Sequence, residues 1–134
     1  MLLLPTVLLR HQVHGLTAAA PAGTHYDWLM GDPTDPAGPL WAARVAWPSG
    51  AWASLGWWDL WELSPHRRAY LQFEGQISGG RGTVARVDRG WIVPRQWSVS
   101  RRVLDLGLAR SRGLVVLVRL GPGLWRASLA EARG

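Results

Sequence analysis

The triplet His25-Tyr26-Asp27 carries the clearest chemical signal in the sequence. On an extended strand the side chains of His25 and Asp27 leave the same face, about 7 Å apart along the chain. An imidazole nitrogen and a carboxylate oxygen so placed can share one cation, although the pair alone equally describes a surface histidine beside a turn acid. His11 closes the run Val7-Leu8-Leu9-Arg10 and offers a third ligand if the small-residue stretch Ala18 to Thr24 folds back, with His14 competing for that role. Two histidines and a carboxylate leave positions open for water and substrate, and the mixed nitrogen and oxygen set suits manganese, zinc or iron. Cysteine is absent, which excludes thiolate ligands, thiolate nucleophiles and disulfides.

A second cluster is Ser64-Pro65-His66-Arg67-Arg68-Ala69-Tyr70. If the segment is extended, His66, Arg68 and Tyr70 share a face, and all three can donate hydrogen bonds to a phosphoryl oxygen. The same residues also suit a solvated basic turn ahead of a strand.

The elements that must position these residues read as strands. Sixteen glycines and nine prolines are scattered through 134 residues, so turn signals recur and no long helical period survives between them. Thr6 to Gln12, Leu40 to Trp47, Ala51 to Leu63, Gly82 to Asp88, Trp97 to Leu108, Leu114 to Leu120 and Leu124 to Leu129 are the candidate strands. Turns are expected at Pro48-Ser49-Gly50, Asp88-Arg89-Gly90 and Gly121-Pro122-Gly123. Leu104, Leu106 and Leu108 share one face opposite Asp105, and Leu124, Arg126 and Ser128 face away from Trp125, Ala127 and Leu129. Gly31 to Pro39 and Ala18 to Thr24 are expected to be loops. The expectation is one all-β domain over residues 1–134, a small closed or partly open β-barrel of about eight strands with short helical turns.

Ten tryptophans are expected mainly in the core, but Trp57, Trp58 and Trp61 cannot all face one way on a strand, so one or two are exposed. All fifteen basic residues are arginine, against nine acids, for a net charge of +6. Arginine presents a planar fork that matches phosphate oxygens and stacks on bases, so a polyanion is the expected partner. The apolar start Met1 to Leu9 and the Ala18-Ala19-Ala20 stretch suggest a secretory signal. However, no basic residue precedes the leucines, and Arg10, His11 and His14 interrupt them. We read a buried strand and expect a cytoplasmic protein. No run approaches the roughly 20 apolar residues of a membrane span.

In order and residue type, these motifs resemble the 3′-phosphoesterase domain of bacterial ligase D and its stand-alone relatives. His25-Tyr26-Asp27 matches that family's His-Tyr-Asp-x-Arg motif. His66 and Tyr70, followed by Phe73-Glu74-Gly75, match its His-Pro-x-x-Tyr-x-x-Phe-Glu-Gly segment. Gly79-Gly80-Arg81-Gly82-Thr83-Val84 and Asp88-Arg89-Gly90 match its glycine-rich turn and hairpin. The resemblance runs from the first strand to Leu129. It implies metal ligation by His11, His25 and Asp27, with manganese preferred, and His66 and Tyr70 on the substrate phosphate as catalytic groups. The implied activity trims DNA 3′ ends in repair by non-homologous end joining, removing a terminal ribonucleotide and then the 3′-phosphate. Ligase and polymerase functions would come from separate proteins.

Three features depart from the family pattern. The arginine two residues past the aspartate is Leu29, the loop between His11 and His25 is longer, and Arg67 stands where the family has proline after the histidine. Arg68 or Arg81 would then supply the missing phosphate-binding charge, and an arginine restored at 29 would share the face of His25 and Asp27. The other readings are a non-catalytic DNA-end or RNA-binding module of the same fold, and a tryptophan-lined carbohydrate binder.

Overall fold

A computed structural model describes residues 1–17, 20–77 and 81–131. Strands β1 (Leu4–Thr17), β2 (Ala20–Met30), β3 (Leu40–Val45) and β4 (Trp57–His66) follow in antiparallel order. They are joined by β5 (Gly75–Gln76), β6 (Thr83–Trp97), β7 (Arg101–Leu108), β8 (Arg112–Gly121) and β9 (Leu124–Glu131). Their order in the sheet is β1-β2-β3-β4-β9-β8-β7-β6, and β6 pairs back onto β1, closing an eight-stranded antiparallel barrel among the described residues. The short β5 adds to the outer edge of β6. Closure leaves the eight barrel strands no open edge along most of their length.

Strand alternation builds two apolar layers. Inward residues such as Leu8, Trp28, Met30, Ala43, Leu60, Ile92, Leu104, Leu106, Val115 and Trp125 fill the barrel. Trp52, on the single-turn helix α1 (Trp52–Leu55), stacks on Trp58 at 4.5 Å between ring centroids and on Trp28 at 4.8 Å. Thr6 Oγ1 donates to the Leu29 carbonyl at 2.8 Å and accepts from Trp28 Nε1 at 2.8 Å, which locks β1 to β2 inside the wall. A second layer, Val7, Leu9, Leu29, Leu40, Ala42 and Val84, lies on the outer wall. It is covered by the segment after β4, which contributes Tyr70, Leu71 and Ile77. Arg86 anchors that cover: its guanidinium donates to the Leu71 carbonyl at 2.7 Å and its amide to Glu74 Oε1 at 3.2 Å.

The barrel and its alternation match the sequence reading, including the inward Leu104, Leu106 and Leu108 and the 31–39 loop. Five tryptophans (Trp28, Trp41, Trp52, Trp58 and Trp125) are buried, while Trp57 and Trp61 flank buried Trp58 and are half exposed. Several boundaries differ. Residues 20–24 continue β2 instead of forming a loop, whereas Ala18 and Ala19 lie outside the described residues. Trp52–Leu55 is helical and Gly56, at φ 74°, ends it, so the strand expected from Ala51 begins only at Trp57. No turn forms at Asp88-Arg89-Gly90; β6 continues through it past an irregularity at Val87, because these residues pair with Leu8, Val7 and Thr6 of β1, and the Asp88 carboxylate accepts from the amides of Ala109 and Arg110 in the turn between β7 and β8. Among the described residues, no helix is long and apolar enough to cross a membrane.

Candidate metal centre

Because Leu8, Trp28 and Met30 point inward, alternation sets Leu9, His11, His25, Asp27 and Leu29 on the outer wall. Register then decides which of them meet. His11 lies directly opposite His25, and Asp27 sits between Leu9 on one side and Arg44 of β3 on the other. One ligand atom from each of His11, His25 and Asp27 lies within 4.8 Å of the other two. His11 Nδ1 is 2.9 Å from His25 Nε2, and His25 Nε2 is 3.6 Å from Asp27 Oδ1. Two ligands each at about 2.0–2.2 Å from one cation stand about 3.0–3.5 Å apart, so this spacing fits a shared ion.

One hydrogen bond sets the His11 tautomer. His11 Nε2 lies 2.6 Å from the Arg81 carbonyl oxygen. A carbonyl only accepts, so Nε2 carries the hydrogen; Nδ1 then accepts from His25 Nε2 at 2.9 Å, and a cation shared by the two nitrogens would take the place of that hydrogen. A ring N–H held by a backbone carbonyl is the usual device that orients a metal-bound histidine. Gly82 permits the contact: its φ is 91°, and a Cβ there would collide with the Gln12 carbonyl of β1.

Burial, the nearby Arg44 charge and His11 push the His25 pKa down to about 4, so its 3.6 Å approach to Asp27 joins a neutral ring to a carboxylate. Burial raises the Asp27 pKa above the ordinary carboxylate value, with Arg44, His66 and His11 opposing the rise. Asp27 Oδ1 is buried without a hydrogen-bond partner among the described residues. Arg44 Nε stands 3.9 Å from it, beyond hydrogen-bond range. A buried carboxylate oxygen left unpaired is costly. A cation held jointly with His11 and His25 would satisfy it, so these residues fit a divalent metal.

Beside the triad a cavity of about 220 Å³ is lined by His11, Asp27, Arg44, His66, Tyr70 and Arg81, over a floor that includes Leu9, Leu63 and Val84. His66 and Tyr70 thus line the same cavity as His11 and Asp27. Their rings meet edge to face at 5.5 Å, and His66 Nδ1 donates to the Ser64 carbonyl at 2.9 Å, leaving Nε2 as the second ring nitrogen for chemistry. Arg81 also lines the cavity. Arg68 does not share the face of His66 and Tyr70. The chain forms a 3-10 turn over Arg68–Leu71 instead of an extended strand, and the Arg68 guanidinium donates to the Pro36 carbonyl at 2.9 Å. Leu29 does share the face of His25 and Asp27 but is fully buried in the outer apolar layer. The side chain of His14 and residues Gly79 and Gly80 lie outside the described residues.

Arg44 is the site residue that motif reading missed. Its only sequence signal is a lone charge in the otherwise apolar run Leu40-Trp41-Ala42-Ala43-Arg44-Val45, and its role emerges from the β2–β3 register. In comparisons with known proteins, no family model and no curated protein matches the chain.

Proposed function

We propose that this chain is a divalent-metal-dependent phosphoesterase that trims DNA 3′ ends, removing a terminal ribonucleotide and then the 3′-phosphate, with manganese as the preferred ion. One observation carries the reading. The buried Asp27 Oδ1, without a hydrogen-bond partner among the described residues, converges with His11 and His25 beside a cavity lined by Arg44, Arg81, His66 and Tyr70. Such a site calls for a cation on one side and an anion on the other. Bound there, the cation would neutralise a phosphoryl oxygen and position the attacking water.

The chain's own residues hold the rest of the phosphate. Arg44 brings a guanidinium to the side of Asp27 that the buried Leu29 leaves without charge, and Arg81 adds a second from the turn before β6. Tyr70 donates its hydroxyl to a phosphoryl oxygen. His66 is fixed through Nδ1, so its Nε2, when protonated, gives the proton to the leaving oxygen as water adds to phosphorus. At a 3′-ribonucleotide end the products are the released ribonucleoside and a strand ending in 3′-phosphate; at a 3′-phosphate end they are a 3′-hydroxyl and inorganic phosphate. A chain whose basic residues are all arginine and whose net charge is +6 suits a nucleic-acid strand. Work in the cytoplasm beside separate ligase and polymerase proteins is the setting that fits this role.

A manganese-supplemented assay on primers ending in a 3′-phosphate or a 3′-ribonucleotide tests the proposal. Wild type is expected to convert both ends slowly but measurably, and His25→Ala to abolish conversion. If wild type and H25A are indistinguishable while both still bind the primer end, the non-catalytic DNA-end or RNA-binding reading replaces this one.

A further inference from the structure

On the opposite face of the β1–β2 ladder from the metal centre lies a second cavity, of about 400 Å³. Arg10 and Tyr26 are cross-strand partners one position from His11 and His25, so alternation turns them to the other side of the wall. There they meet Val87 of β6, the turn containing Pro48, Ser49 and Gly50, and Arg110 between β7 and β8. Tyr26 and Val87 pack on the interior apolar cluster, which places this cavity at an end of the barrel.

The cavity is built by one buried carboxylate. Asp88 accepts hydrogen bonds from Ser49 Oγ at 2.6 Å, the Arg110 amide at 3.0 Å, the Ala109 amide at 2.8 Å and its neighbour Arg89's amide at 2.8 Å. It thereby fixes both turns that carry the walls. With those bonds made, Asp88 forms no ion pair with Arg10 or Arg110, and neither arginine is ion-paired among the described residues. Arg10 Nε is buried with no hydrogen-bond partner among them. Two guanidiniums thus line one cavity with no carboxylate to neutralise them, and one has a buried donor unsatisfied. A buried, unsatisfied donor on Arg10 beside the exposed guanidinium of Arg110 calls for an anion with several oxygens.

We propose that this cavity is a second anion site, distinct from the metal centre, that takes a phosphate group. Arg10 and Arg110 clamp the phosphoryl oxygens from two elements, and the Ser49–Gly50 backbone borders them. Tyr26, Pro48 and Val87 offer apolar contact to whatever the phosphate is attached to. The volume exceeds that of bare phosphate and lies in the range of small-ligand pockets. The same chemistry serves a free nucleotide or a phosphate of a nucleic-acid backbone.

Amide NMR titration of the full, metal-free chain with orthophosphate, adenosine monophosphate and a short single-stranded oligodeoxynucleotide tests the site. Saturable shifts are expected at Ser49, Gly50, Val87 and Arg110. Arg110→Gln, on an exposed turn, should weaken orthophosphate about tenfold, while Arg119→Gln, an exposed arginine lining neither cavity, should leave it unchanged. Arg10→Gln should act like R110Q; if it fails to fold, R110Q alone decides. Tighter binding of the mononucleotide than of the oligonucleotide marks a nucleotide site, and the reverse a strand-backbone site. Shifts confined to Arg44, Arg81 and His66, or equal losses in R110Q and R119Q, would overturn the proposal.

Discussion

At Asp27 stability and function pull in opposite directions. Its Oδ1 is buried without a hydrogen-bond partner among the described residues, and burial raises its pKa, so at neutral pH the ionised carboxylate costs the metal-free fold stability that acid relieves. Asp27→Asn is expected to stabilise the metal-free protein by about 1 kcal/mol while removing the stabilisation that manganese gives wild type. Thermal melts with and without the ion check both halves. In wild type, manganese at about 100 times its dissociation constant should add about 2.7 kcal/mol, and a chelator should remove it. His25 works the other way in acid. Unfolded, it takes a proton near 6.5; folded, only at about 4. Between those values the unfolded chain holds the extra proton, so this group lowers metal-free stability as pH falls through the window and adds no further loss below it. Urea midpoints from pH 7 to 4 should fall less steeply in His25→Gln than in wild type; parallel slopes would contradict the assignment.

Between neighbouring strands, register does what the sequence motifs could not announce. His-x-Asp on one strand face was legible from spacing, as was the inward leucine row of β7. The meeting of His11 with His25 and the arrival of Arg44 beside Asp27 depend on cross-strand pairing, which single-strand periodicity does not contain. The continuity of β6 through Asp88-Arg89-Gly90 was hidden for a similar reason: the residues that read as a turn are paired with β1. Leu29 shows the limit of face reasoning. It stands on the predicted face, yet Leu71 and Tyr70 cover its layer. Leu29→Arg would bury a guanidinium among apolar side chains, so it is expected to destabilise the fold by about 3 kcal/mol or more, not to restore a phosphate clamp. Arg44→Gln should leave the melting temperature nearly unchanged, since that side chain is about half exposed. It should lower turnover by about 10²–10³, the cost of deleting one preorganised donor. Melting and primer-end assays on both variants separate the two roles.

The whole molecule combines a barrel packed shut by tryptophans with function placed on its wall. The interior is filled by Trp28, Trp52, Trp58 and Trp125, and the His11, His25 and Asp27 cluster lies on the outer wall, beside the cavity that Tyr70 and Ile77 help to line. Under the proposed function a strand of nucleic acid would approach that wall without entering the barrel, favoured by a chain with six more arginines than acids. Binding to single-stranded DNA should therefore weaken steeply with salt, log K falling by about 0.7 per phosphate neutralised for each unit of log salt. An affinity indifferent to salt would assign the contact to exposed tryptophans such as Trp57 and Trp61 instead. The most direct test is anomalous diffraction from crystals soaked in manganese. A peak is expected within about 2.0–2.2 Å of His11 Nδ1, His25 Nε2 and Asp27 Oδ1, and absent in H25A crystals treated alike. No peak at these atoms in wild type, with manganese bound elsewhere or not at all, would contradict the metal centre and the phosphoesterase built on it.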